Sequence, residues 1–179
     1  MLIRPITSLD ATAFQAFVQG MSVESRTNRF LFPVRELSPA SLRALTHADG
    51  QRHVGLLALE GQRIVGEGRY VVLEDSGKAE FALAVADERQ RIGIGTRLLQ
   101  ALVDAARRAH LQTLEGDILR TNRAVIQFLR KQGFELRSCA GDARVLLAEK
   151  QLERAHLERH HGADRRARVH QLESLVNSV

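Results

Sequence analysis

"DERQRIGIGTRLL", Asp87 to Leu99, places two glycines one residue apart, Gly93 and Gly95, between two apolar segments of different period. The segment before it, "KAEFALAVA", reads as a strand. The segment after it carries apolar side chains at Ile94, Leu98, Leu102, Ala105 and Ala109, widened by Leu99 and Val103. Arg97, Gln100, Asp104, Arg107 and Arg108 fall on the opposite side, so the segment reads as an amphipathic helix. A strand that enters a helix through a bare turn makes an anion site. The first N–H groups of the helix have no partners within it, and the helix dipole favours negative charge there. Glycine lets the backbone approach closely, and Arg89, Arg91 and Arg97 add positive charge. A diphosphate suits this turn better than a single carboxylate does. A tight turn without a ligand is the competing reading. The turn is not a P-loop, because Thr96-Arg97 follows Gly95 instead of Lys-Ser/Thr. It is not the dinucleotide fingerprint either, because Leu98 stands where a third glycine is needed.

Working outward, "MLIRPIT" reads as a first strand and Asp10 as the cap of a helix with Phe14, Phe17, Val18 and Met21 on its apolar stripe. "MSVESRTNRFLFPVREL" is a basic connecting stretch. Ser38 caps a short helix, and Pro39 suits its first position. "RHVGLLALEGQRIVGEGRYVVLED" reads as two strands broken at Glu60-Gly61-Gln62. "LQTLEGDIL" is a strand. "TNRAVIQFLRKQGF" is a helix capped by Thr121 or Asn122 and ended by Gly133. "FELRSC" and "ARVLLAEKQL" are two last strands joined across Ala140-Gly141-Asp142. This order predicts an α+β domain over residues 1–152, with a mixed, mostly antiparallel central sheet flanked by helices. Residues 153–179 are expected to form a charged His/Arg-rich tail, helical or disordered, with four of the seven histidines. His156 and His160 have helical metal-ligand spacing but no convincing third ligand, so no metal is expected. Val169, Leu172 and Val176 give the tail a short apolar stripe.

The net charge of +5 comes almost wholly from arginines. They are spread along the chain, and with one tyrosine, no tryptophan and seven phenylalanines there is little to stack on bases. This argues against nucleic acid as the partner. The lone Cys139 excludes an internal disulfide and reads as a small buried side chain. No apolar run approaches the length of a membrane span, and the N-terminus lacks a signal-peptide apolar region. A soluble, cytoplasmic protein with no membrane partner is expected.

Gln90-x-x-Gly93-x-Gly95 resembles the pyrophosphate-binding signature of the GNAT superfamily of acyl-CoA-dependent N-acetyltransferases. "FALAVA" before it, "TLEGDIL" after the helix, and Asn122 followed by Gly133-Phe134 extend the likeness to roughly residues 2 to 150. "ESRTNRFLFPVRELSPASLRALTHAD" and "AEFALAVADERQRIGIGTRLL" resemble more narrowly the acetyltransferase domain of bacterial protein-lysine acetyltransferases that act on acyl-CoA synthetases. The resemblance implies acetyl-CoA as co-substrate and a protein lysine amine as acceptor. It implies that Gln90, Arg91, Ile92, Gly93, Ile94, Gly95 and Thr96 hold the diphosphate, and that Leu83, Ala84 and Val85 lie along the pantetheine arm. A homodimer is left open.

Acetyl transfer to an amine requires a base for the ammonium proton and a donor for the oxyanion. Glu80 resembles the glutamate base of several protein acetyltransferases; the alternative is an exposed carboxylate at the start of a strand. Glu115, in mid-strand, is a second candidate, with a salt bridge as its alternative role. The oxyanion donor is expected near Val85. Asn122 is expected either to hydrogen-bond the pantetheine or to cap its helix. Where many relatives have a tyrosine acid for the leaving thiolate, this chain has Leu129, with Phe128 beside it. A transferase acting on a small amine and a catalytically silent acyl-CoA-binding module are the alternatives.

Overall fold

The computed structural model describes residues 1–74, 76–139 and 141–152. Seven strands form one sheet: β1 (Leu2–Pro5), β2 (His53–Glu60), β3 (Arg63–Val72), β4 (Lys78–Val85), β5 (Thr113–Leu119), β6 (Glu135–Ser138) and β7 (Val145–Gln151). Their order is β1-β2-β3-β4-β5-β7-β6, and every pairing is antiparallel except β4 with β5. Among the described residues five α-helices accompany them: α1 (Ala11–Gly20), α2 (Val23–Phe30), α3 (Pro39–Thr46), α4 (Ile94–Arg108) and α5 (Arg123–Lys131). The expected α+β architecture, with its mostly antiparallel sheet, is what the chain adopts. The expected tail, with His156, His160, Val169, Leu172 and Val176, lies outside the described residues.

Each face of the sheet buries its own core. On one face Leu99, Leu102 and Val103 of α4 and Leu129 of α5 pack with Tyr70, Phe81, Leu114 and Phe134. On the other, Phe14 and Val18 of α1, Phe30 of α2 and Leu45 of α3 pack with Leu57 and Ile64. The stripe of α4 is rotated slightly from its sequence reading. Ala106 is buried, whereas Ala105 is half-buried and Ala109 exposed. Ser38 and Asn122 cap as expected, accepting from the N–H groups of Ser41 (3.1 Å) and Val125 (3.2 Å). Asp10 does not. It precedes α1, but its carboxylate turns back to the N–H of Thr7 (2.8 Å) and to Arg4, so it closes a one-turn 3₁₀ helix, Ser8–Asp10. Cys139 is half-buried after β6, not enclosed in a core.

The decisive feature is a fork. β4 and β5 pair only at Lys78–Thr113, Ala79–Leu114 and Glu80–Glu115, after which they part. Gly116 stands in the crotch. A Cβ there would lie 2.7 Å from the carbonyl oxygen of Phe81 and 2.8 Å from its ring, so only glycine lets the strands meet at that angle.

Candidate active site

The glycine turn lies at the open end of β4. A one-turn 3₁₀ helix, Asp87–Arg89, leads into Gln90, then Arg91 at φ 63° and Gly93 at φ 92°. Left-handed residues at alternate positions curl a backbone so that N–H groups converge on one side. The first intrahelical bond of α4 runs from Arg97 N to Gly93 O (3.1 Å), so the N–H groups of Ile94, Gly95 and Thr96 precede it. A Cβ on Gly93 would meet no atom within 4 Å. The glycine is required by its φ, and the space beside it is open. Gly95 differs from the sequence reading. A Cβ there would make ordinary contacts of 3.7–3.8 Å with Leu83, Val85 and Phe128, so this glycine faces the groove beside β4. Arg89 pairs with Glu60 at 2.9 Å. Among the described residues, Arg91 and Arg97 have no carboxylate partner and are exposed at the turn.

The ladder fixes which way the peptide groups of β4 face. Leu73 N bonds Lys78 O (2.9 Å) and Ala86 N bonds Val65 O (3.0 Å). By antiparallel alternation, residues 78, 80, 82, 84 and 86 pair with β3, while Leu83 and Val85 turn their N–H and C=O groups to the other side, where β5 has departed. Gln90 Nε2 donates to Val85 O at 3.2 Å, tying the turn to the strand end. The Val85 N–H thus faces the open fork.

Glu80 is half-buried at the last paired position before the fork. Together with Asp117, Ala82 and Phe81 it lines a small cavity closed by Arg29, Phe30 and Leu31 from the end of α2. Register places Glu80, Glu115, Glu149 and Glu135 side by side across four strands on one face. Glu115 is buried, and Lys78 Nζ bridges it (3.1 Å) to Glu149 (3.3 Å). Asn122 spends its side-chain oxygen on its helix cap. Leu129 is 1% exposed within the core, so the α5 ring turned toward the start of α4 is that of Phe128.

Three features escape the sequence reading. Arg29 and Arg69 both bind the buried carboxylate of Glu67, Arg29 Nε at 3.0 Å, on the face occupied by α1 and α2. Arg69 Nη1 donates to Leu45 O (3.0 Å) and to His53 Nε2 (3.1 Å), which assigns the His53 proton to Nδ1. Burial, reinforced by the Arg69 charge, lowers the His53 pKa to about 4. Charged residues alternating with glycine in "GEGR" of an otherwise apolar strand are the signal for this network. Asp87 is the third feature. Its carboxylate accepts from Ser22 N (2.8 Å), Ser22 Oγ (2.8 Å) and Ser25 Oγ (2.7 Å), fastening the start of α2 to the glycine turn.

Comparisons with known proteins agree with this geometry. The model of the Acetyltransferase (GNAT) family matches residues 21–134. Acetyltransferase PA5475 of Pseudomonas aeruginosa is 33% identical over 138 residues, covering 75% of this chain and 74% of its own. The GNAT domain of S. lividans PAT superposes with a TM-score of 0.78 at 27% identity, over 83% of this chain and 89% of that one. The fold is shared too by yncA of Salmonella typhimurium, a putative acetyltransferase solved with its cofactor acetyl-CoA (TM-score 0.67, 20% identity, 87% of this chain and 96% of that one). Among the described residues no helix is long and apolar enough to cross a membrane. The chain belongs to the GNAT family: it is an N-acetyltransferase, and acetyl-CoA is the co-substrate typical of that family.

Proposed function

We propose that the chain transfers an acetyl group from acetyl-CoA to a lysine amine of a protein, with Glu80 as the general base and residues 1–152 as the catalytic domain. The observation that carries this reading is the position of Glu80. It ends the paired part of β4–β5, lines the cavity beneath α2, and lies on the strand whose Leu83 and Val85 N–H groups face the fork. A base at this point takes the proton that an amine in water carries at neutral pH.

The residues fit acetyl-CoA. Convergent N–H groups from Gln90 to Thr96, with open space at Gly93 and unpaired arginines nearby, suit the diphosphate. Leu83, Ala84 and Val85 suit the pantetheine arm, and the Val85 N–H suits the oxygen that gains charge. When bound, acetyl-CoA supplies an activated thioester. A thiolate leaves tolerably without an acid, consistent with Leu129 where a tyrosine would otherwise stand. Glu115 is assigned to holding Lys78 and to making this face acidic, which suits a cationic acceptor. The protein acceptor is supported by the resemblance of residues 24–49 and 79–99 to protein-lysine acetyltransferases and by the similarity to S. lividans PAT.

The test is Glu80→Gln, assayed with acyl-CoA synthetases and read by mass spectrometry. kcat should fall by about 10²–10⁴, and the acidic limb of the pH profile should disappear. The acetyl-CoA Kd should stay unchanged. An unaltered kcat and pH profile would remove Glu80 from the chemistry. Acetylation of small polyamines alone would move the acceptor class away from proteins.

A further inference from the structure

At the far end of α4 from the glycine turn lies a groove of about 620 Å³. Ala105 and Ala109 are 11 and 15 positions beyond Ile94, about 17–22 Å along the helix. The groove is therefore separate from the site described above, and its volume lies within the range of small-molecule pockets.

Its origin is topological. β1 stops pairing at Pro5–Leu56, with one more bond from Ile6 N to Gly55 O (2.9 Å), while β2 and β3 continue through Val54–Tyr70 and His53–Val71. Over this overhang α4 presents alanines, so the space between helix and sheet is left open. Apart from Gln51 and Tyr70, the only tyrosine in the chain, the uncharged lining is apolar. The body of Tyr70 is buried, 1% exposed as a residue, and its hydroxyl, which makes no hydrogen bond to the described residues, opens to the groove. That hydroxyl is free to exchange water for a polar group of an occupant. Burial raises its pKa, the charge of Arg108 opposes that, and the charge of Asp49 adds to the rise, so both charges act at the phenol.

Among the described residues, the charged members of the lining are Arg52 and Arg108. Neither has a carboxylate partner among the described residues. Asp49, the acidic group on the adjoining loop, uses its Oδ1 on the N–H groups of Gln51 and His53, both at 2.8 Å. An apolar floor, a phenol hydroxyl open to the groove and two guanidinium groups with no ion-pair partner among the described residues are complementary to one kind of molecule. We propose that this groove binds a small amphiphilic anion, an apolar body bearing one carboxylate, phosphate or sulfonate head.

The probes are 1-anilinonaphthalene-8-sulfonate, followed by its fluorescence with the full chain, and decanoate as competitor. The dye should bind with a micromolar Kd, be displaced by decanoate, and remain bound in saturating coenzyme A. Arg52→Gln/Arg108→Gln should weaken it roughly tenfold and flatten its salt dependence. Ala105→Leu, which fills the groove, should abolish binding while acetyl-CoA still binds. No dye binding to the wild type up to about 1 mM would overturn the proposal. So would displacement by coenzyme A, or equal affinity in both variants. Should Ala105→Leu fail to fold, the exposed arginine variant decides alone.

Discussion

Two glycines one residue apart do different jobs. Gly93 holds a left-handed φ of 92° beside open space, whereas Gly95 sits in the first turn of α4 with room for a methyl group. Gly93→Ala should therefore lower stability by about 1 kcal/mol through backbone strain. Gly95→Ala should leave it unchanged or raise it, because alanine is the better helix former. Thermal unfolding of the two variants checks the contrast. Gly93→Glu should fold but lose acetyl-CoA affinity, since it sets a carboxylate in the turn proposed to hold the diphosphate; calorimetric titration reads this directly. The motif was legible in sequence because it is local. The partners of its neighbours were not. Nothing in "TLEGDIL" says that Glu115 is held by Lys78, which lies 37 positions earlier and becomes its neighbour only when two parallel strands align.

At the scale of elements, the seven strands and four of the helices follow from period and punctuation. α2 does not, because "VESRTNRF" has no apolar stripe: within it only Arg29 and Phe30 are buried. A polar helix of eight residues has little stability of its own. Its ends are fixed from outside, the first turn by Asp87 and the last by the Arg29–Glu67 ion pair. Since Asp87 leads into the glycine turn and Phe30 lines the cavity beside Glu80, α2 joins the two. Asp87→Ala should cost about 1 kcal/mol and speed amide exchange over residues 23–30, with the amides of α4 unaffected. Hydrogen exchange read by mass spectrometry checks both halves of that expectation.

For the whole molecule, His53 and Asp10 mark two windows of the response to acid, and Glu67, Asp49 and Asp87, also held below the ordinary carboxylate range, add to the second. His53 is neutral in the fold with a pKa of about 4, well below its ordinary value near 6.5. The unfolded chain therefore binds a proton that the native chain refuses, and stability present above pH 6.5 is lost as pH falls toward 4. The loss should be about 1–2 kcal/mol after discounting for solvent screening. Asp10, held by Arg4 to a pKa of about 2, gives a second decline between the ordinary carboxylate range and pH 2. Unfolding temperatures across this range should fall in two steps, and His53→Gln should erase the first. Neither step was visible in sequence, since it takes the folded chain to bring His53 against Arg69 and Arg4 against Asp10.

The fork has a mechanical meaning as well. Three residue pairs between β4 and β5 are the seam of the sheet, with β1–β4 under α1 to α4 on one side and β5–β7 with α5 on the other. The chain crosses between them once, after α4. Severed near residue 110, the two pieces should reassemble by complementation. With the turn of one piece holding coenzyme A as proposed, and Phe128 of the other piece beside Gly95, that ligand should act as the rivet that makes their reunion ligand-dependent.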